Sequence, residues 1–332
     1  MSLLDDLPER VHVVEMLPRD GFQRLDEFVP TDEKVEIIDQ LSATGVDEIE
    51  ISSFTHPKAV PTLRDADEVA KKIERHDDVT YRALVPNLVG MERAVEAEVD
   101  KVNALVTVSQ SYTEKNQNRT REEVLAEMDD IVELAHDHGI EVEAGMGTSF
   151  YCPYEGRIDP AETLAVVDSV VESGVDEVTL ATTMGLANPV EITERFTAAF
   201  EAHPDLDMGL HLHDTNGMSL ANTLAAMAVG VDRFDASVCG LGGGVVLPGG
   251  MSGVGNTPTE DLVQMLTRMG VENGVDFEKI EAAAHDVSEQ LGLGVTSHVL
   301  AGGTVEGVLE TVAADNEDAA DAADADDADD EQ

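Results

Sequence analysis

A (β/α)8 barrel with extra C-terminal helices is the fold class that the sequence predicts, and three observations predict it. Short β-rich runs alternate with longer amphipathic ones, the pattern of a parallel sheet whose strands are joined by helices. Eight such runs are present, which argues closure into a barrel, and no GxGxxG follows the first as it would in an open dinucleotide-binding sheet. The chain has 332 residues, 42% of them hydrophobic, enough for one barrel core of about 250 residues without demanding a second full domain.

The strands read as Val11–Met16, Glu48–Phe54, Thr80–Val85, Val102–Val108, Ile140–Gly145, Glu177–Thr182, Gly209–His213 and Arg233–Cys239. Between them lie amphipathic helices, among them Thr31–Thr44, Arg121–His138, Ala161–Ser173 and Pro189–Ala202. Thr31-Asp32-Glu33 and Thr120-Arg121-Glu122-Glu123 carry capping residues and first-turn acids. Gly45, Gly139 and Gly174 stand where three helices end. Residues beyond about 260 read as added helices, giving a barrel domain over 11–300 behind a short extension, 1–10. From Ala314 to Gln332 the chain is nearly all Ala, Asp and Glu without apolar periodicity, so 314–332 is expected to be a disordered acidic tail.

Charge is the outlying quantity. Asp and Glu number 69 against 20 Lys and Arg, a formal net charge of -49. Such a surface repels nucleic acid and anionic membranes, so neither is expected as a partner. It stays soluble where salt screens self-repulsion, with a Debye length of about 3 Å at molar salt. This reads as adaptation to a salt-loaded, halophilic cytoplasm; a polyanion built for a basic partner is the rival reading. The only cysteines, Cys152 and Cys239, lie far apart, which excludes a disulfide framework and suits a reducing cytoplasm. No run of about 18 apolar residues marks a membrane helix. The first residues, MSLLDDLPER, are acidic and lack the apolar core of a secretory signal.

Barrel enzymes carry their chemistry at the C-terminal ends of the strands. After the first strand stands Pro18-Arg19-Asp20-Gly21-Phe22-Gln23, the second carries Glu50, and the seventh reads His211-Leu212-His213-Asp214. Alternation along a strand puts His211 and His213 on the same side. Two imidazoles with a carboxylate from another strand suit Mg2+, Mn2+, Co2+ or Zn2+, and the lack of a thiolate argues against a structural zinc. Taken singly, each residue has a plainer reading: an ordinary strand-end histidine, Asp20 as a turn residue, Arg19 as a surface ion-pair partner. The glycine-rich run from Gly240 to Asn256 is either a flexible loop or a lid.

These stretches resemble the 3-hydroxy-3-methylglutaryl-CoA lyases, within the wider family of metal-dependent barrels that make and break Claisen-type C–C bonds. The resemblance spans roughly Val11 to Leu266. It rests on Pro18-Arg-Asp-Gly-Phe-Gln23, Glu50-Ile-Ser-Ser-Phe54, Pro57-Lys-Ala-Val-Pro61 and Pro86-Asn-Leu88. Further on it rests on Lys115-Asn116, Cys152-Pro-Tyr-Glu-Gly156, His211-Leu-His-Asp-Thr-Asn-Gly217, Gly240-Leu-Gly-Gly243 and Gly255-Asn256. It implies that Asp20, His211, His213 and Asn256 hold Mg2+ or Mn2+ and that Arg19 faces the reacting carbonyl with Glu50 close by; His211 is read, besides, as a candidate base as well as ligand. It also implies an acyl-CoA substrate, retro-Claisen cleavage to acetyl-CoA and acetoacetate, and a homodimer.

Two positions depart from the family pattern. Gly244 stands where the lyases place a catalytic cysteine, with Cys239 nearby on the strand as a conceivable substitute. Thr182 stands where the sixth strand ends in Asp, and a Thr cannot act as a base near neutral pH. Cys152 matches a family cysteine of structural role. Three functional readings follow: the lyase itself, a relative acting on another 3-hydroxyacyl-CoA or running in the synthase direction, and a non-catalytic metal or acyl-CoA binder. The motif His211-Leu-His-Asp-Thr-Asn-Gly217 lies closer to the lyases than to the synthases.

Overall fold

The structure is a computed structural model, and it describes residues 7–243, 255–294 and 296–314. Eight parallel strands close into a barrel: β1 (His12–Glu15), β2 (Glu48–Ser53), β3 (Thr80–Val85), β4 (Lys101–Thr107), β5 (Glu141–Gly147), β6 (Glu177–Thr182), β7 (Asp207–Leu212) and β8 (Arg233–Ala236). Each strand pairs with its sequence neighbours, and β8 closes on β1 through His12 opposite Arg233 and Val14 opposite Asp235. Between them run α1 (Thr31–Ser42), α2 (Ala66–Lys72), α3 (Leu88–Glu96), α4 (Gln110–Gln117), α5 (Arg121–Asp137), α6 (Pro160–Glu172), α7 (Pro189–Ala202) and α8 (Ser219–Met227). Beyond β8, α9 (Thr259–Met269), α10 (Phe277–Leu291) and α11 (His298–Gly302) pack outside, with α10 against α1 and α9.

The strand and helix predictions match to within about two residues at each end, the scatter expected of fraying termini, except that the last strand stops at Ala236, three residues before Cys239, which lies in a short 3-10 turn. Thr120 and Glu123 form a reciprocal capping box on α5. Thr31 does not cap α1: it is the first helical residue, and its hydroxyl donates to Asp65 (2.8 Å). Gly45 takes φ +87°, and a Cβ there would sit 2.4 Å from the Gly274 carbonyl, so this helix end accepts only glycine. Residues 305–314 are helical, so Ala314, the first residue of the expected acidic tail, lies in a helix; the rest of that tail lies outside the described residues, as does most of the N-terminal extension. Among the described residues no helix is long and apolar enough to cross a membrane.

The apolar core lies between strands and helices, with Val102, Val142, Val178 and Leu210 on the outer strand faces fully buried beneath the helices. Inside the barrel the side chains are largely charged, and this places the site.

Candidate metal centre and active site

The chain leaves β1 through a single π-turn, Leu17–Gly21, in which the amides of Arg19, Asp20 and Gly21 all donate to the Met16 carbonyl (3.2, 2.8 and 3.3 Å). A simple Arg-Asp-Gly bend would leave these side chains in solvent. The wider turn, of a kind common at functional sites, buries both Arg19 and Asp20 in the barrel mouth.

Strand β7 brings His211 into the interior, and the residue after its end, His213, follows on the same face. The His211 Nδ1 lies 2.9 Å from Asp235 Oδ2, and the His213 Nδ1 lies 2.8 Å from the Thr183 carbonyl. Both partners are acceptors, so both Nδ1 atoms carry the hydrogen, and in the neutral rings both Nε2 atoms present lone pairs. Those two Nε2 atoms face each other at 3.1 Å. Two lone pairs this close repel unless a cation lies between them. Asp20, His211 and His213 offer ligand atoms that all lie within 4.8 Å of one another. Outer partners that fix the tautomer of each histidine are the usual companions of metal-binding imidazoles.

Asn256 reaches the site from the far side of the glycine-rich loop. The Asp214 amide donates to the Gly255 carbonyl (2.9 Å) and the Thr257 amide to the Leu212 carbonyl (3.1 Å), which pins Asn256 beside His213. Its Nδ2 donates to Asp20 Oδ2 and to the Leu241 carbonyl, both 2.9 Å, which fixes the amide's orientation. Its Oδ1 is then buried without a hydrogen-bond partner. An orphaned acceptor beside a carboxylate and two imidazole lone pairs fits a fourth ligand of a hard divalent ion. Gly242 makes this possible: a Cβ there would meet Asn256 Nδ2 at 2.1 Å and Asp20 Oδ2 at 2.5 Å.

Arg19 is clamped between two carboxylates, its Nε donating to Glu50 and its Nη1 to Asp20. Its Nη2 has no partner among the described residues. Glu50 is fully buried, and its other oxygen accepts from Asn103 Nδ2 (3.0 Å) and is ion-paired with Arg82, whose Nε lies 2.9 Å away. A register shift between Glu50 and Ser52 in β2 helps aim it inward. With both oxygens occupied, Glu50 holds Arg19 in place and has no oxygen left over to carry a proton. Burial pushes the Asp20 carboxyl up, but the Arg19 charge beside it overcomes this and holds it well below the usual range. Asp235 is likewise held down, to about 2, where Arg82 and His211 outweigh burial.

Arg19, Asp20, His211, His213 and Asp235 line one cavity of about 370 Å³, the size of a small-molecule site, walled also by Leu84, Leu105, Asn103 and Tyr112. Several expectations change here. Cys239 points away from the cavity: its Sγ donates to the Ala284 carbonyl (3.2 Å) on α10, and burial raises the thiol to about 12. It is no substitute for the family's acid. Cys152 is structural, its buried sulfur accepting from Ser109 Oγ (2.9 Å) and the Tyr154 amide (3.3 Å). Thr182 gives its oxygen to the His213 amide (3.0 Å), while its neighbours Ala181 and Thr183 line the cavity. Asp214 accepts from the Ser219 amide (2.8 Å) and serves a turn. Gly244 lies outside the described residues.

Sequence reasoning missed Asp235, Arg82 and Asn103. Asp235 sits opposite His211 in the β7–β8 register, an inward position recognisable only once neighbouring strands are aligned.

A family model described as HMGL-like matches residues 10–287. The hydroxymethylglutaryl-CoA lyase of Bacillus subtilis is 38% identical over 285 residues, covering 86% of this chain and 94% of that protein. The mitochondrial hydroxymethylglutaryl-CoA lyase of Rattus norvegicus is 37% identical over 90% of this chain and 91% of its own. Among solved structures, an HMG-CoA lyase from Acinetobacter baumannii in complex with coenzyme A and 3-methylmalate superposes with TM-score 0.85 at 37% identity, covering 90% of this chain and 96% of that one.

Proposed function

The chain belongs to the HMGL-like family, whose members are carbon–carbon lyases, and from that premise we propose that it cleaves 3-hydroxy-3-methylglutaryl-CoA to acetyl-CoA and acetoacetate. The observation that carries the reading is the convergence of Asp20, His211 and His213 in the cavity wall, with Asn256 and its orphaned Oδ1 beside His213.

The donor set of one carboxylate, two imidazoles and an amide oxygen, with no thiolate, favours Mg2+ or Mn2+. When bound, such a cation supplies Lewis acidity toward the substrate's 3-hydroxyl and a neighbouring oxygen. The chain's residues do the rest. Asp235 and the Thr183 carbonyl hold both imidazoles in the tautomer that presents Nε2. Both nitrogens of His211 are thereby occupied, so it acts as ligand and not as the base its position first suggested. Arg19, braced by Glu50 and Asp20, turns its free Nη2 toward the oxygen that gains charge as the C2–C3 bond breaks and the thioester fragment leaves as an enolate. The fixed guanidinium costs no reorganisation when that charge appears.

A second reading is supported by one observation: neither Thr182 nor the described end of the loop places an acid or base beside the ligands. A relative with another 3-hydroxyacyl-CoA substrate, a synthase, or a non-catalytic binder would share that feature. The setting we propose is a salt-adapted, cytoplasmic homodimer, in keeping with the net charge of -49.

The test is a panel of 3-hydroxyacyl-CoAs given to the protein in molar salt with Mn2+ or Mg2+, following acetyl-CoA and free keto acid. Cleavage that disappears in His213→Ala supports the lyase. Condensation without cleavage supports a synthase, and metal binding with neither supports a binder.

A further inference from the structure

Cleavage leaves an enolate whose carbon must take up a proton, and no residue assigned above can give one. The loop after β8 does not provide it. Residues 244–254 read Gly-Val-Val-Leu-Pro-Gly-Gly-Met-Ser-Gly-Val, without a Cys, His, Asp, Glu, Lys or Tyr, and their one hydroxyl is the aliphatic Ser252. The donor therefore belongs to the cavity wall.

The protonatable groups there can be taken in turn. Asp20, His211 and His213 are committed to the metal centre, and Asp235 is locked between Arg82 and His211. Arg119 is held outward by Glu127 and the Glu123 carbonyl. His56 is exposed at the mouth, with Nδ1 accepting from the Lys58 amide (3.1 Å). Tyr112 remains. It stands in the first turn of α4, it is 3% exposed, and it lines the cavity together with Arg19 and His211. Its hydroxyl has no hydrogen-bond partner among the described residues. Burial, reinforced by the nearby Tyr154, Cys152 and Asp20, raises the phenol well above its ordinary value and keeps it protonated. The hydroxyl is not one of the buried unpaired atoms, so it stands open to the cavity that Tyr112 lines.

On the lyase reading above, we propose that Tyr112 is a catalytic acid, its hydroxyl delivering the proton to C2 of the departing enolate. The C2–C3 electron pair passes into the enolate as the 3-hydroxyl loses its proton to solvent and C3 becomes a carbonyl. The enolate carbon then takes the proton of Tyr112 Oη, forming the methyl group of acetyl-CoA. The phenolate left behind recovers a proton from water, so the cycle closes without an added reactant. The hydroxyl thereby fills the place of the thiol that Gly244 removes.

Tyr112→Phe deletes one oxygen that makes no hydrogen bond to a described residue, so the folded protein should keep its melting temperature and its affinity for Mn2+. The expected result is a fall in kcat of about 10²–10⁴-fold with KM changed by less than about threefold. The solvent deuterium isotope effect on kcat should rise as protonation becomes rate-limiting. A cavity-wall role alone would move KM and leave the isotope effect as it was. If wild-type protein cleaves a member of the acyl-CoA panel and Tyr112→Phe cleaves it within about twofold as fast, the proposal is overturned while the lyase reading stands. The same follows if His56→Asn, and not Tyr112→Phe, carries the loss. If the wild type cleaves none of the panel, the lyase reading fails first and takes this proposal with it.

Discussion

The two halves of the barrel interior are both charged, yet they are built on opposite principles. In the lower half, at the N-terminal ends of the strands, Arg82, Lys101 and Arg233 meet Glu48, Glu143 and Glu177. Lys101 Nζ lies 2.6 Å from Glu177 and 3.0 Å from Glu48, and Arg233 bonds the same two carboxylates at 3.0 and 2.6 Å. Arg82 adds Glu143, and reaches upward to Asp235 (3.0 Å) and Glu50 (2.9 Å). Cations and carboxylates are matched there, and of these side chains, among the described residues, only one oxygen of Glu143 and the Arg82 Nε make no hydrogen bond, the latter still ion-paired with Glu50. In the upper half the surplus is the point: among the described residues, two imidazole lone pairs, the Asn256 oxygen, the Arg19 Nη2 and the Tyr112 hydroxyl find no protein partner. Barrel interiors are ordinarily packed with branched apolar side chains. A closed ionic layer contributes little net stability, because desolvation offsets the attraction. Its use here is geometric, since one Arg82 guanidinium braces both Glu50, which holds Arg19, and Asp235, which holds His211.

That contrast can be broken at either end. Replacing an upper ligand has the largest expected effect: His213→Ala should abolish Mn2+ binding and lower cleavage by on the order of a thousandfold, with the fold retained, read by metal titration and circular dichroism. A loss below about tenfold would remove His213 from the metal centre. Below, Arg82→Met strands Glu50, Glu143 and Asp235 in the interior. It should cost roughly 3–5 kcal/mol of unfolding free energy in chemical denaturation, as breaking a buried pair does. If it proves neutral, the lower carboxylates do not depend on Arg82 for their charge partner. The link between the halves gives a smaller effect. Asp235→Asn leaves the ligands in place but no longer enforces the His211 tautomer, so Mn2+ affinity should fall by about 10–100-fold with modest change in melting temperature.

The smallest effect concerns pH and two buried carboxyls outside both layers. Glu15 accepts from the Leu17 and Val238 amides and from the Thr259 hydroxyl, and Glu260 accepts from the Cys239 amide. Burial raises Glu15 to about 7 and Glu260 to about 8, from an ordinary 4.5. The folded chain therefore keeps protons that the unfolded chain has released across that window, and stability falls as pH rises through it, levelling off above about 8. In molar salt the melting temperature should drop by several degrees from pH 5 to 8.5, and Glu260→Gln should flatten that slope. An unchanged slope in the variant would mean that Glu260 ionises normally in the fold.

Much of this was legible in the sequence because it depends on local periodicity. The strand and helix runs, the Thr120–Glu123 cap and the inward pairing of His211 with His213 each follow from residue spacing along one element. The resemblance to a known family supplied Asp20 and Asn256 as their companions. Tertiary structure decided what lies across strands. It showed Asp235 as the support of His211, Arg82 as the brace beneath both Arg19 and His211, Cys239 turned to α10, and Thr182 spent on the His213 amide. A sequence lists which groups carry lone pairs and protons. Only the closed barrel determines which of them find partners, because in a buried interior every partner is chosen by register and packing between distant segments, and the groups left without one are where chemistry can occur.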